Sequence, residues 1–501
     1  LKGSEEGAIE LNGGSLTLAE SADEKTYSVG VPLSVNGQQL LSVTVPQNTT
    51  LDIAEGLSNP IGSLSFAGDS SGLVGNVRIS GESTVSGSIG FSSKFSPIVA
   101  GMLFTPEHAD QGEAARNGSY TMSILNPGNA AGDPCLYLTN AVIEKPVYLA
   151  GDAMPRDRCN IFACAGSTNV VRGNVAFAGT KGTCGMTVAT DGELTMSGGL
   201  QMPLPFRATV GDRARLVVSG GPVVMKLAAS YEGEASFSVI GGEAVFANTS
   251  NDVDYLNVGI GNSIVNPFRR VTFAGNDMFG EVTLAVGLYK VAKDVYRYVT
   301  TKSISSVVEF NVTTQRFARV LGGPLATFGG SAGSLLEISG DQDAADPLVP
   351  DSAKPLAAVF TGGLSLKKTG AGLLVLTNAV STTTGGLEVS RGELRLAKGV
   401  AWTNATSVVV SGTGVLTVED PQVGGRSRVF GRAASLVLSD DGVLVTPPGS
   451  CLHVASLTVD GESMPGGRYT YATAPEAMRH HLSEESGAIQ VRGVGLIILL
   501  R

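Results

Sequence analysis

Short apolar runs recur through this chain at an interval too small for any of them to fold alone. In the most regular part they fall at 364–366, 373–376, 387–389, 394–396, 408–410 and 415–418. The steps from Leu366 to Val389, Val389 to Val410 and Leu396 to Val418 are 23, 21 and 22 residues. Each unit reads as an apolar strand, a glycine-bearing corner, a second apolar strand and a longer polar loop. A unit of that size cannot bury its own apolar face, so units must stack, strand upon strand, lining Val, Leu and Ile into continuous ladders. The same interval links 216–218 to 237–239 and 223–225 to 244–246. Near the start, 9–11 and 16–18 form another such couple, as do 43–45 and 51–53. After Val418 the interval stretches but continues through 436–438, 443–445, 452–454 and 457–459.

The fold expected from this pattern is all-β, a right-handed parallel β-helix (solenoid) with loop insertions. Tandem antiparallel sandwiches would need strands of about five to six residues with turns roughly every 8–12. The runs here are shorter and their interval is more even. Composition agrees: 66 of 501 residues are Gly, 43% are hydrophobic and 16% are charged, where ordinary globular chains carry about 25% charged residues. That apolar content is enough to offset the entropy of ordering and argues against disorder. Glycine belongs at tight changes of direction, which need positive φ or a site without Cβ. The expected repeat corners are Gly362, Gly363, Gly370, Gly372, Gly385, Gly386 and Gly392. Lys367 and Lys368 are expected as charges near the outer edge of their repeat.

Residues 1–339 read as an irregular β-helix region with insertions, and 340–358 as an acidic, Pro-bearing linker or protruding loop. Residues 359–460 read as the regular repeats and 461–501 as a closing, capping segment. Two interruptions stand out. Residues 105–126 lack the pattern. Residues 284–302 place Val286, Tyr289, Val291, Val295 and Tyr298 at a spacing that partly suits a helix. The apolar tail 494–501 reads as a last strand, with a cropped sorting signal as the alternative. No run of about 18 apolar residues occurs, so no transmembrane helix is expected. The chain starts without Met or a signal-like segment and reads as an excised or mature fragment.

The stretch GGLSLKKTGAGLLVLTNAVSTTTGGLEVSRGELRLA, residues 362–397, resembles the autotransporter-associated β-strand repeat. That family's phrase runs roughly G-G-L-x-K-x-G-x-G-x-L-x-L, a polar loop, then T-x-G-G-x-x-V-x-x-G-x-L-x-L. Lys368, Gly370, Gly372, Leu374, Leu376, Gly385, Gly386, Val389, Gly392, Leu394 and Leu396 fit it, with two extra residues between Leu364 and Lys368. Residues 457–472, LTVDGESMPGGRYTYA, are similar to the closing segment that follows such repeats in large Gram-negative surface proteins. The resemblance implies a secreted, passenger-type β-helix at the outer surface of a Gram-negative bacterium, part of a larger surface protein. It implies no catalytic residue and no cofactor.

Candidate chemistry is sparse. Cys135, Cys159, Cys164 and Cys184 share a 50-residue window. The intervals from Cys135 to Cys159 and from Cys164 to Cys184, 24 and 20 residues, are each close to one repeat. Stacking would bring such pairs to the Cα separation of a disulfide, roughly 5–6 Å. One or two structural disulfides are therefore expected, consistent with an oxidising compartment. A four-cysteine zinc site lacks its CxxC pairs, and buried thiols are the plainer alternative. Cys451 has no evident partner.

Histidine and carboxylate clusters read as structural. His480 and His481, near Glu484 and Glu485, are adjacent and so should point to different sides of a helix or strand. No metal site is expected there. His453 alternates with Leu452 and Val454, and His108 lies in a polar interruption. Asp341, Asp343 and Asp346 belong to a loop that would at most take adventitious Ca²⁺. Asp440-Asp441-Gly442 reads as a turn, and Asp252 and Asp254 as solvated. Gly329-Gly330-Ser331-Ala332-Gly333 matches the nucleophile-elbow pattern literally, but the residues after it read as a strand where that elbow needs a helix.

Net charge is −10 and the isoelectric point about 5.1, with Lys and Arg scattered singly. Nucleic acid is therefore not an expected partner, since phosphate binding needs clustered positive charge. The expectation is an extracellular or surface-exposed, structural, adhesin-like β-helical protein without catalysis, presenting loops to glycans or other surface proteins. The alternative is a β-helix polysaccharide lyase or glycoside hydrolase, which needs converging carboxylates and aromatic platforms. One Trp and 11 Tyr supply little for sugar stacking.

Overall fold

The computed structural model describes residues 9 to 492 except 12, 36–39, 47, 60–62, 68–76, 86–88, 92–96, 105–121, 126–135, 151–160, 179–183, 204, 226–235, 249, 254, 259–267, 277, 281, 293–294, 299–304, 342–354, 378–379, 422–428 and 432. Strands dominate, and Glu476–Arg479 is the one α-helix among the described residues. The chain forms two compact units, Leu1–Val253 and Asp254–Arg501.

In the first unit, three series of short strands run side by side, each strand pairing in parallel with its counterpart one repeat later. Ile9–Leu11 pairs with Leu33–Val35, which pairs with Leu57–Asn59. Lys25–Val29, Thr49–Ile53 and Val77–Ile79 form the second series. Gly14–Thr17, Leu40–Thr44, Ser63–Ala67 and Ile89–Phe91 form the third. The core follows from alternation, since successive strand side chains face opposite sides. Thr49–Ile53 and Phe206–Val210 bury every second residue. Parallel register then sets like residues over like. Phe66 stacks on Phe91 at 5.0 Å between ring centroids, and Phe206 on Phe237 at 4.8 Å. Such ring pairs add about 0.5–1.5 kcal/mol beyond the apolar area they bury.

The third series changes the upstream register. Leu216 stacks on Ala244, and Phe237 on Phe206. The expected 21-residue steps from 216–218 to 237–239 and from 223–225 to 244–246 therefore join strands of different series. Short apolar triplets look alike, so interval alone cannot tell three strands per repeat from two. Residues 105–126 are also not a complete interruption: Met122–Leu125 pairs in parallel with Ile89–Phe91 and Val147–Ala150.

The second unit holds the regular array. Thr314–Phe317, Leu335–Ile338, Ser365–Lys368, Leu387–Leu396, Ser407–Val418, Ser435–Leu438 and Ser456–Val459 pair successively in parallel. Leu366 lies beside Leu387 rather than Val389, a shift of two residues that keeps the same face inward. Leu387–Leu396 and Ser407–Val418 are strands of ten and twelve residues, each merging two runs expected to be separate. A register shift between Val389 and Arg391, with Gly392 at φ +67°, absorbs the corner without ending the ladder. The described residues of 284–302 are not helical. Leu288–Ala292 and Val295–Tyr298 form an antiparallel hairpin after Gly287, whose φ of +67° is incompatible with a helix. Of the expected linker, Leu356 and Ala358 are buried and Leu356 bridges to Leu376, whereas 342–354 lie outside the described residues.

The chain then folds back on itself. Thr458 and Val459 pair antiparallel with Ser463 and Glu462 across Asp460-Gly461. Both loop residues have positive φ, 48° and 84°, the backbone that a two-residue hairpin loop of this kind requires and that Asp-Gly favours. Ala488–Val491 pairs in parallel with Cys451–Val454 and antiparallel with Gly467–Tyr469.

Candidate functional site

The cysteines do not form the expected cross-link where they can be followed. Cys164 and Cys184 are free, as is Cys451. Ala163 pairs with Val188, making that repeat 25 residues, so the 20-residue interval leaves the two thiols several residues out of register. Burial pushes the Cys184 thiol up to about 12, which makes it a poor nucleophile at neutral pH. Cys135 and Cys159 lie outside the described residues.

The expected corner glycines spread over several environments. Gly362 ends a strand at φ +69°, and Gly372 lies between strands at φ +74°. Gly392 sits within a continuous strand. The demand at Gly370 is close approach, because a Cβ there would lie 1.8 Å from the carbonyl oxygen of Gly340 in the previous repeat. Gly363 and Gly385 are similarly crowded by backbone, whereas Gly386 has room for a Cβ at ordinary contact distance.

Beside this corner the outward placement of Lys368 is overturned. Lys367 is half-exposed and its Nζ lies 2.9 Å from Glu388 Oε1. Lys368 is fully buried, on the inward face with Leu366 and in register with Ile338 and Val389. Its ammonium turns back along the chain and donates to the carbonyls of Gly370, at 2.5 Å, and Ala371, at 3.1 Å. The lysine of this phrase therefore supplies donors to the buried glycine corner. The alternation Ser365, Leu366, Lys367, Lys368 carried the signal, since it places Lys368 on the apolar side.

The carboxylates scatter. Asp252 and Asp341 are exposed, and Asp254, Asp343 and Asp346 lie outside the described residues. Asp440 occupies a turn at φ +55° and accepts the Gly412 N–H at 3.2 Å. The literal nucleophile-elbow match leads into strand Leu335–Ile338, so Ser331 has no helix behind it. A pocket of about 260 Å³ between Val418, Val445, Pro447 and Pro448 is lined by the carboxylates Glu419 and Glu485 and by no aromatic ring.

One constellation runs against expectation. The adjacent imidazoles of His480 and His481 do not diverge: their ring centroids lie 3.8 Å apart. They follow the short helix Glu476–Arg479, where the chain is turning and neither helix nor strand geometry separates neighbours. His481 is fully buried. Its Nδ1 lies 2.7 Å from the Gly442 carbonyl oxygen, which can only accept, so Nδ1 carries a proton. The other nitrogen, Nε2, faces Asp460 Oδ2, 3.3 Å away. His480 Nε2 lies 4.0 Å from the same carboxylate oxygen and 3.2 Å from the Asp440 carbonyl. One ligand atom from each of Asp460, His480 and His481 falls within 4.8 Å of the others. His453 is absent from this cluster and sits half-buried opposite Gln490; His108 lies outside the described residues.

No family model matches this chain, no curated protein matches it, and no solved structure matches it.

Proposed function

We propose that the chain is a surface-exposed, structural, adhesin-like protein without catalysis, built as a right-handed parallel β-helix with loop insertions. The observation that carries this reading is the parallel pairing of each strand with its counterpart one repeat later, in both units, over inward-facing apolar ladders. Parallel strands joined by crossovers take the right-handed path in nearly all cases, and coiling the three strand series of the first unit about a core of its own uses every ladder described there. A stack of this kind commits its glycines and apolar residues to corners and ladders and leaves its loops to carry other side chains, which suits presentation rather than turnover. The resemblance of residues 362–397 and 457–472 to autotransporter-associated repeats and their closing segment supports an extracellular location within a larger surface protein. Glycans and other surface proteins are the partners this reading assigns to the loops. The pocket at Val445, with two carboxylates and no aromatic platform, offers little to a polysaccharide lyase or hydrolase.

The test is a glycan array together with a polysaccharide-degradation screen on the purified chain. Retained glycans without released product are expected. Release of oligosaccharide from any polymer would replace this reading with the β-helix lyase or hydrolase.

A further inference from the structure

We propose that Asp460, His480 and His481 bind a divalent transition-metal cation of the zinc class, as a three-ligand site with an open coordination position. Three segments converge to build it: the hairpin turn at Asp460-Gly461, the corner Asp440-Asp441-Gly442, and the chain leaving helix Glu476–Arg479. Asp460 is held by its two-residue turn. His481 is held by three backbone contacts: its N–H donates to Met478, its carbonyl accepts from Leu444, and its ring Nδ1–H donates to Gly442.

The chemistry of His481 points to a cation. A neutral imidazole whose Nδ1–H is committed to a backbone carbonyl presents Nε2 as a lone pair, the tautomer and support typical of a metal-ligating histidine. Here Nε2 faces a carboxylate oxygen at 3.3 Å. Two acceptors facing one another repel unless a positive charge lies between them. A proton on Nε2 is one solution, and a shared metal ion is the other. The separation suits the ion: tetrahedral ligands at about 2.0–2.1 Å from zinc stand roughly 3.3–3.4 Å apart.

His480 completes the set by moving. Its Nε2 must leave the Asp440 carbonyl and approach the carboxylate from 4.0 Å. Its side chain is half-exposed, whereas His481 is buried and fixed by its backbone contacts. The preorganised pair is therefore Asp460 and His481, and His480 closes on the ion. Two imidazoles and one carboxylate select zinc, copper, nickel or cobalt over calcium and magnesium, which prefer all-oxygen sites.

Zn²⁺ titration calorimetry and Co²⁺ absorption on the full chain decide the matter. One Zn²⁺ site is expected, and Co²⁺ should give the visible bands of a low-coordinate nitrogen–oxygen site without a thiolate charge-transfer band. Asp460→Asn keeps a residue that tolerates positive φ, and His480→Ala changes an exposed side chain. Each should weaken Zn²⁺ at least about tenfold, in line with the loss of a ligand or its support. Zn²⁺ should raise the melting temperature of the wild type and leave that of Asp460→Asn unmoved. Emission from Trp402, the single and fully buried tryptophan, reports whether the unit is folded in each variant. Absence of Co²⁺ bands in the wild type overturns the proposal. So does binding that both variants retain, or a thiolate band assigning the metal to cysteine.

Discussion

Among the described residues two lysines are fully buried, Lys145 in the first unit and Lys368 in the second. Both stand beside tight corners, yet they meet burial differently. Lys368 ends a strand, and its ammonium reaches the two carbonyls of the corner that follows. Lys145 lies inside its corner, between strands Leu136–Ile143 and Val147–Ala150. There the next repeat presses on its backbone: a Cβ on Gly173 would lie 2.1 Å from the Lys145 carbonyl oxygen. Burial lowers the Lys145 pKa to about 8. The Lys368 ammonium thus satisfies the backbone of its corner, and burial of Lys145 disfavours its charged form.

The largest test breaks the Lys368 side of that contrast. Lys368→Ala removes two donors from buried carbonyls and leaves a cavity in the inward ladder between Ile338 and Val389. The expected loss is about 4 kcal/mol, combining unsatisfied acceptors with a cavity penalty. Lys368→Met restores most of the volume and should lose about 2 kcal/mol, isolating the donors. Urea unfolding followed by Trp402 emission measures both, because that residue belongs to the same unit. If Met matches the wild type, the carbonyls of Gly370 and Ala371 do not need the ammonium.

Lys368 also marks where sequence reading stops. The parallel ladders were legible because an inward residue must be apolar, and Leu366, Leu387, Val389 and Val410 announce that face. A lysine in the same alternation was read by its charge rather than its position. The third strand series was hidden because triplets such as 216–218 and 237–239 are interchangeable as patterns, though not as neighbours. His480 and His481 were separated by a rule valid within helices and strands, and they lie at the end of a four-residue helix. The signal available for that corner was Asp460-Gly461, a hairpin dipeptide directly after the apolar run that ends at Val459.

The second test works on Lys145 through pH. Its folded pKa of about 8 lies below the ordinary 10.5. Between those values the unfolded chain binds a proton that the folded chain has released, so stability rises with pH. The whole window amounts to about 3 kcal/mol. Cys184 acts in the opposite sense: its thiol is raised from 9 to about 12, so stability falls as pH climbs through that range. Their sum is a rise from pH 8 to 9, a plateau to about 10.5, and a fall beyond. Lys145→Met should erase the rise and leave a decline from pH 9. Chemical unfolding followed by far-ultraviolet circular dichroism across pH 7.5–11 gives the profile. An unchanged rise in the variant would mean that Lys145 does not carry it.

The smallest effect is expected where a cation meets oxygen in water. Arg213 Nε and Nη2 donate to the two carboxylate oxygens of Asp191, one repeat earlier, at 2.6 and 2.7 Å. The Arg213 side chain hydrogen-bonded to Asp191 holds that carboxyl below the usual range. Both side chains are exposed, at 68% and 48%, so water and salt compete for every charge. This pair is bidentate, as the lysine contacts are not, and geometry alone would rank it above them. Burial ranks it below. A double-mutant cycle of Arg213→Ala and Asp191→Ala should show a coupling far smaller than the Lys368→Met loss, vanishing in 1 M NaCl. The depressed carboxyl fixes the sign with pH: the small contribution is present above the unfolded pKa of Asp191 and disappears as acid protonates it. A coupling that survived 1 M salt and equalled the Lys368→Met loss would make geometry, not burial, the rule for these corners.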